Sequence, residues 1–134
     1  RFLRNGEPVT RRFVGGLLGH WAVWTRAAVD VLKACHDAVA NDAPISPRML
    51  ELGIEVTDCN AAVFDVANGF AGSTAGIHEI LRRQGFLEGI WLLSEKRSRL
   101  SPGQAEELTR VATAYPHLTD DAFVKEHLAE WMSG

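Results

Sequence analysis

The spacing of apolar and polar positions changes period near residue 25, and that change divides the chain into an extended beginning and a helical remainder. Phe2 and Leu3 precede Asn5-Gly6, a dipeptide suited to the positive φ angles of a tight turn. Pro8 excludes a helix there, and residues 9–14 resume with β-branched and aromatic side chains. Next comes Phe13-Val14-Gly15-Gly16-Leu17-Leu18-Gly19, an apolar run carrying three glycines. Continuous apolarity without alternation predicts a strand over residues 13–18 covered on both faces, as in a parallel sheet. Glycine inside such a strand allows a neighbour or a ligand to approach the backbone closely.

From Thr25 the period is helical. Arg26, Asp30, Lys33 and Asp37 fall on one narrow stripe, with Arg26–Asp30 and Lys33–Asp37 spaced for i,i+4 pairing. The other positions, among them Ala27, Ala28, Val31, Leu32, Cys35 and Val39, are apolar all round, which predicts a helix over Thr25–Ala40 mostly surrounded by protein. Ser46-Pro47 supplies an N-cap followed by proline at the first helical position. A long helix is expected over residues 47–70, with Val56, Cys59, Val63, Val66, Ala67 and Phe70 along one side. Ser73 starts another helix, carried by Ile77, Ile80 and Leu81 and stopped by Gly85.

Residues 87–100 show no clean period and include Trp91 and the cluster Glu95-Lys96-Arg97-Ser98-Arg99, so a loop is expected. Ser101-Pro102-Gly103-Gln104 combines an N-cap, a proline and the Gln of a capping box. The helix after it buries Ala105, Leu108, Val111, Ala112 and Tyr115, and Pro116 closes it. Thr119-Asp120-Asp121 caps a last helix with Phe123, Val124, Leu128 and Trp131 on its apolar face. The expected class is therefore mainly α with one amino-terminal strand region followed by five helices.

Composition narrows the function classes. The 134 residues suit one domain, and 46% hydrophobic with 23% charged residues is ordinary globular usage. A net charge of −3 gives no electrostatic basis for binding nucleic acid. No run of 18 or more uncharged apolar residues predicts a membrane helix. Two cysteines, Cys35 and Cys59, make no disulfide scaffold, and a reducing cytoplasm is the simpler reading. The first residue is Arg1 with no signal-peptide pattern, so the sequence reads as the end of something longer.

Candidate chemistry is sparse. Cys35-His36 and Cys59 lack the paired spacing of structural zinc sites, and His20, His36, His78, His117 and His127 are scattered, so no metal is expected. Asp58 and Asp65 lie seven apart, which suits either a pair of working carboxylates or an inter-helix hydrogen-bond set. The glycines Gly15, Gly16 and Gly19 match neither the dinucleotide fingerprint nor the P-loop. Arg1, Arg4, Arg11 and Arg12 against Glu7 give +3 over twelve residues, a place for an anion or a set of solvated chain-end charges. His20 lies just past the end of the expected strand, where α/β enzymes place their chemistry; the alternative is a histidine bonded to a loop backbone and flanked by Trp21 and Trp24. None of Lys33, Lys96 and Lys125 has the apolar surroundings of a Schiff-base nucleophile.

The order of the pieces resembles the carboxyl-terminal part of the dihydrodipicolinate synthase and N-acetylneuraminate lyase family. Residues 13–18 correspond to the eighth strand of its (β/α)₈ barrel and Thr25–Ala40 to the eighth helix, so that 1–44 is the last β/α unit and 45–134 the helical extension. The appended helices correspond to residues 47–70, 73–84 and 101–115. Gly15-Gly16-Leu17-Leu18-Gly19-His20-Trp21-Ala22-Val23-Trp24 and Tyr115-Pro116-His117-Leu118-Thr119-Asp120-Asp121 are similar to an outlying synthase-like branch. The resemblance implies a lyase of aldolase type acting on a 2-oxo acid through a lysine Schiff base, without a further cofactor, in a homo-oligomer. The lysine and the assisting tyrosine belong to earlier strands absent from this sequence, so no catalytic residue carries over. Gly15, Gly16 and His20 are the expected substrate-binding positions, although the family places a bulkier side chain near the glycines. The alternative is a self-standing helical module for protein interaction or oligomerisation, without catalytic activity.

Overall fold

The computed structural model describes residues 2–93 and 99–133. It is mainly helical. Two short strands, β1 (Phe2–Arg4) and β2 (Glu7–Val9), pair antiparallel with Phe2 opposite Val9. They are joined by the Asn5-Gly6 turn, whose residues have φ of 52° and 84°. Five α-helices follow: α1 (Thr25–Ala40), α2 (Pro47–Val63), α3 (Ser73–Arg83), α4 (Gln104–Ala114) and α5 (Asp121–Trp131). Among the described residues no helix is long and apolar enough to cross a membrane.

The core gathers on the carboxyl-terminal half of α2. Cys59, Ala62 and Val63 meet Leu108 and Val111 of α4, Ile80 of α3, and Val23, Trp24 and Ala27 at the start of α1, with Leu118 closing the end. Leu108 is 0% and Trp24 1% exposed. Full burial of side chains this size stabilises by about 1.5–3 kcal/mol each relative to exposure. The close fit of α3 against α2 depends on Gly76, where a methyl group would run into the carbonyl oxygen of Val63.

Several expectations need correction. Residues 13–18 pair with no strand and lie outside the core, with Phe13 91% and Leu17 87% exposed. A strand is held by its neighbours' amides and carbonyls, and the described chain offers this run no edge to join. The carbonyl of Phe13 accepts a hydrogen bond from the His36 ring at 2.9 Å. Nor is α1 surrounded by protein: Ala27 and Ala28 are its buried residues, and 33–37 are exposed. Of its two expected ion pairs, Arg26–Asp30 closes at 3.3 Å and Lys33–Asp37 does not.

The long helix ends at Val63 rather than 70. Asp65 adopts a left-handed conformation (φ 58°), which no helix can continue, and Val66 and Phe70 are exposed beyond it. Helix α4 begins at Gln104, after a left-handed Gly103. The Gln104 half of the capping box forms, its Oε1 accepting from the Ser101 amide at 3.1 Å, but the Ser101 hydroxyl is donated to Asp65. At α5 the Asp120 side chain caps nothing locally and accepts from other helices. Ser46 does cap α2 as expected, accepting from the Met49 amide at 3.2 Å. The expected charged cluster at 95–98 lies outside the described residues, as does Arg1.

Candidate functional site

The sequence-predicted positions Gly15 and His20 come together on one side of α1. Gly19, with a φ of +69°, turns the chain into a 3-10 segment over Gly19–Ala22. That turn sends the His20 ring inward, where the residue is 4% exposed, and leaves Trp21 free to lie back over the preceding run. Gly16 lies directly under the Trp21 indole, and a side chain there would occupy the same space. Gly15 meets nothing within 4 Å at the corresponding position. A cleft of about 160 Å³ opens between Gly15, His20, Trp21 and the α1 residues Val31, Leu32 and Cys35, with Val56 of α2 at its back.

The protonation state of His20 follows from its partners. Its Nε2 lies 2.6 Å from the carbonyl oxygen of Leu118, which can only accept, so Nε2 carries the hydrogen. Nδ1 is then a bare acceptor, and it is buried without a hydrogen-bond partner among the described residues. Burial lowers the pKa of the ring, against the opposing pull of the Leu118 bond and the Asp120 charge, and His20 is neutral at pH 7. The Trp24 ring packs against it at 5.1 Å, tilted by 52°. Among the described residues no lysine, arginine or carboxylate lines the cleft.

The carboxylates singled out in the sequence separate into two structural roles. Asp58 holds Arg110 through both oxygens at 2.8 Å and accepts from the Tyr115 hydroxyl at 2.9 Å, tying α2 to the end of α4. The Arg110 bonds keep its carboxyl below the ordinary range, despite some burial. Asp65 is buried and accepts from the Asn68 side chain at 2.7 Å, from the Gly72 amide at 2.8 Å and from Ser101. Burial alone would raise its pKa; the three hydrogen bonds outweigh that and lower it. Gln104 completes this knot by donating to the carbonyl of Gly72 at 3.1 Å. Asp58 and Asp65 thus each tie separate elements together through hydrogen bonds.

The remaining candidates are dispersed. Among the described residues no group of three or more histidines, cysteines or carboxylates is placed to hold a metal. Burial pushes the Cys59 thiol up to about 12, which leaves it an inert apolar side chain at neutral pH, whereas Cys35 is exposed at the cleft. Arg4, Arg11 and Arg12 are exposed and reach no carboxylate among the described residues. His117 is 2.7 Å from Glu55, which also holds Arg48, a surface cluster that spacing in sequence did not suggest because its members lie 62 and 69 positions apart. The Gln84 side chain, donating to Asp120 and Asp121 at 2.8 Å, joins the ends of α3 and α5 and was equally unreadable in the sequence. Gln104 did carry a signal, as the third helical position of a capping box.

Set beside known proteins, the chain matches no family model, no curated protein and no solved structure.

Proposed function

We propose that this chain is a docking and packing segment of a larger (β/α)₈ lyase of the dihydrodipicolinate synthase type, and that it shapes the enzyme without supplying its nucleophile. The observation that carries this reading is the run at 13–18, apolar, unpaired and exposed at Phe13, Val14, Leu17 and Leu18, followed after the Gly19–Ala22 turn by a helix whose second half is largely exposed. Such a run gains its hydrogen bonds and its burial together when a neighbouring strand is supplied. In that setting the 2-oxo acid would form its Schiff base on a lysine from the missing strands, in a cytoplasmic homo-oligomer. The described residues fit a supporting role: their lysines, Lys33 and Lys125, are exposed, so neither has the desolvation that activates an amine.

Among the described residues none at the His20 cleft is a cation that could pair with a 2-oxo acid carboxylate, so in this reading the anion is held by other residues. A second reading rests on a different observation. The core from Val23 to Leu118 closes without using residues 2–18, as a self-standing interaction module requires.

Intact-mass measurement of the protein from its native source, followed by treatment with pyruvate and borohydride, separates the two. A complete barrel needs about 250 residues, so the expected outcome is a mass near twice the 14.7 kDa of this chain together with a trapped pyruvyl adduct. A native mass of 14.7 kDa without an adduct leaves the interaction module as the function.

A further inference from the structure

A second, larger groove, of about 530 Å³, runs between the start of α1, the end of α3 and α5. That volume falls within the roughly 300–1,000 Å³ of small-molecule sites. Residues 2–18 build none of its walls, so it stands apart from the run that carries the barrel reading. Its aromatic side is Phe86, Phe123 and Trp131. The Trp131 ring lies nearly parallel to Phe86 at 6.0 Å and edge-on to Phe123 at 5.7 Å. Trp131 and Val29 are each 45% exposed, so the groove is open to solvent along both.

Among the described residues one cation lines this groove. The Arg26 guanidinium sits over the Phe123 ring, 5.4 Å from its centre, on a side chain that is 55% exposed. Asp30 takes the Nε hydrogen at 3.3 Å. Nη1 and Nη2 meet no acceptor among the described residues, which leaves the two-pronged end of the guanidinium for a carboxylate. Phe123 and Asp30 together restrain the side chain, so less freedom is lost when an anion arrives. Asp120 also borders the groove, with its oxygens engaged by the Arg26 amide and the Gln84 side chain. Its charge repels an anion beside it and so keeps a ligand carboxylate at the Arg26 fork, while the Arg26 charge disfavours a cationic ligand on the same aromatic face.

We propose that this groove binds a small amphipathic carboxylate, its anionic end on Nη1 and Nη2 of Arg26 and its apolar body against Phe86, Phe123 and Trp131. The probe of that class is 2-naphthylacetate, and 2-naphthylacetamide is its uncharged counterpart of nearly the same shape.

The experiment is a titration of the whole chain with each probe near neutral pH, followed through the indole N–H resonances of the tryptophans. The acid is expected to half-saturate at about 1 mM with the Trp131 resonance moving. It should bind about five- to tenfold more tightly than the amide, the margin of charge-assisted over neutral hydrogen bonds. Arg26→Gln keeps the backbone amide that bonds Asp120, and should lower the acid's affinity to that of the amide without changing the amide's own. Trp131→Ala should weaken both probes alike, by about two- to tenfold. In the parent chain about 0.5 M salt should shrink the acid's margin, which keeps the test decisive if Arg26→Gln does not fold. Equal binding of acid and amide, an acid margin that survives Arg26→Gln or added salt, or a Trp131 resonance unmoved at about 10 mM acid would each overturn the proposal.

Discussion

The two halves of α2 carry similar apolar content and meet opposite fates. In the carboxyl-terminal half Cys59, Ala62 and Val63 are buried against α3 and α4. In the amino-terminal half Leu50 and Ile54, one turn apart, are 62% and 71% exposed. Helix α1 divides the same way, its first turns buried through Ala27 and Ala28 and its last turns uncovered beside the run at 13–18. One region is closed, with Asp65 and Gln104 hydrogen-bonded across its elements; the other leaves large apolar side chains exposed. Apolarity therefore reports that a surface gains from being covered, and only the fold reports whether this chain covers it.

The sharpest way to test that contrast is one substitution made in both regions. Leu108→Ala, at a fully buried position, is expected to destabilise by about 3–4 kcal/mol in denaturant unfolding, whereas Leu50→Ala changes stability by less than about 0.5 kcal/mol. Equal losses would mean that the uncovered half of α2 is covered in solution.

A smaller effect is expected from the polar knot. Asp65→Ala leaves the Gly72 amide and the Ser101 hydroxyl without their acceptor and places alanine in a left-handed conformation, at a cost of about 2–3 kcal/mol by the same measurement. Asp65→Asn retains the left-handed preference and one acceptor, and should lose less.

The smallest effect belongs to His20. Burial depresses its pKa below the ordinary 6.5, so the unfolded chain binds a proton that the folded chain resists. The stability this gives is present in full above pH 6.5 and is lost as the pH falls through the lower folded value. The denaturation midpoint should therefore begin to fall below about pH 6.5, before the carboxylates titrate, and His20→Phe should flatten that part of the profile. A midpoint independent of pH between 6.5 and 5 in the parent chain would show that His20 is not held neutral.

Local signals placed much of the secondary structure. The Asn5-Gly6 turn, the Ser46-Pro47 start of α2 and the Gly85 end of α3 all stand where the residues put them, because each depends on the backbone preferences of one or two neighbours. Signals that compete with distant partners were less legible. Asp65 ends α2 two turns early because its carboxylate finds Gly72 and Ser101, and nothing in its immediate neighbours announces that. Of the candidate site, Gly15 and His20 were marked by sequence, but the Leu118 carbonyl that fixes the His20 tautomer lies 98 positions away.

By itself the sequence determined that the chain is mainly helical after residue 25 and that its two cysteines form no disulfide scaffold. Propensity, capping and composition are properties of short stretches, so they survive without knowledge of the rest. The tertiary structure decided which apolar faces meet, which carboxylates tie elements together, and that the His20 ring is buried against the Leu118 carbonyl. Burial and hydrogen-bond satisfaction depend on what lies across the gap, and only the folded chain brings those partners together.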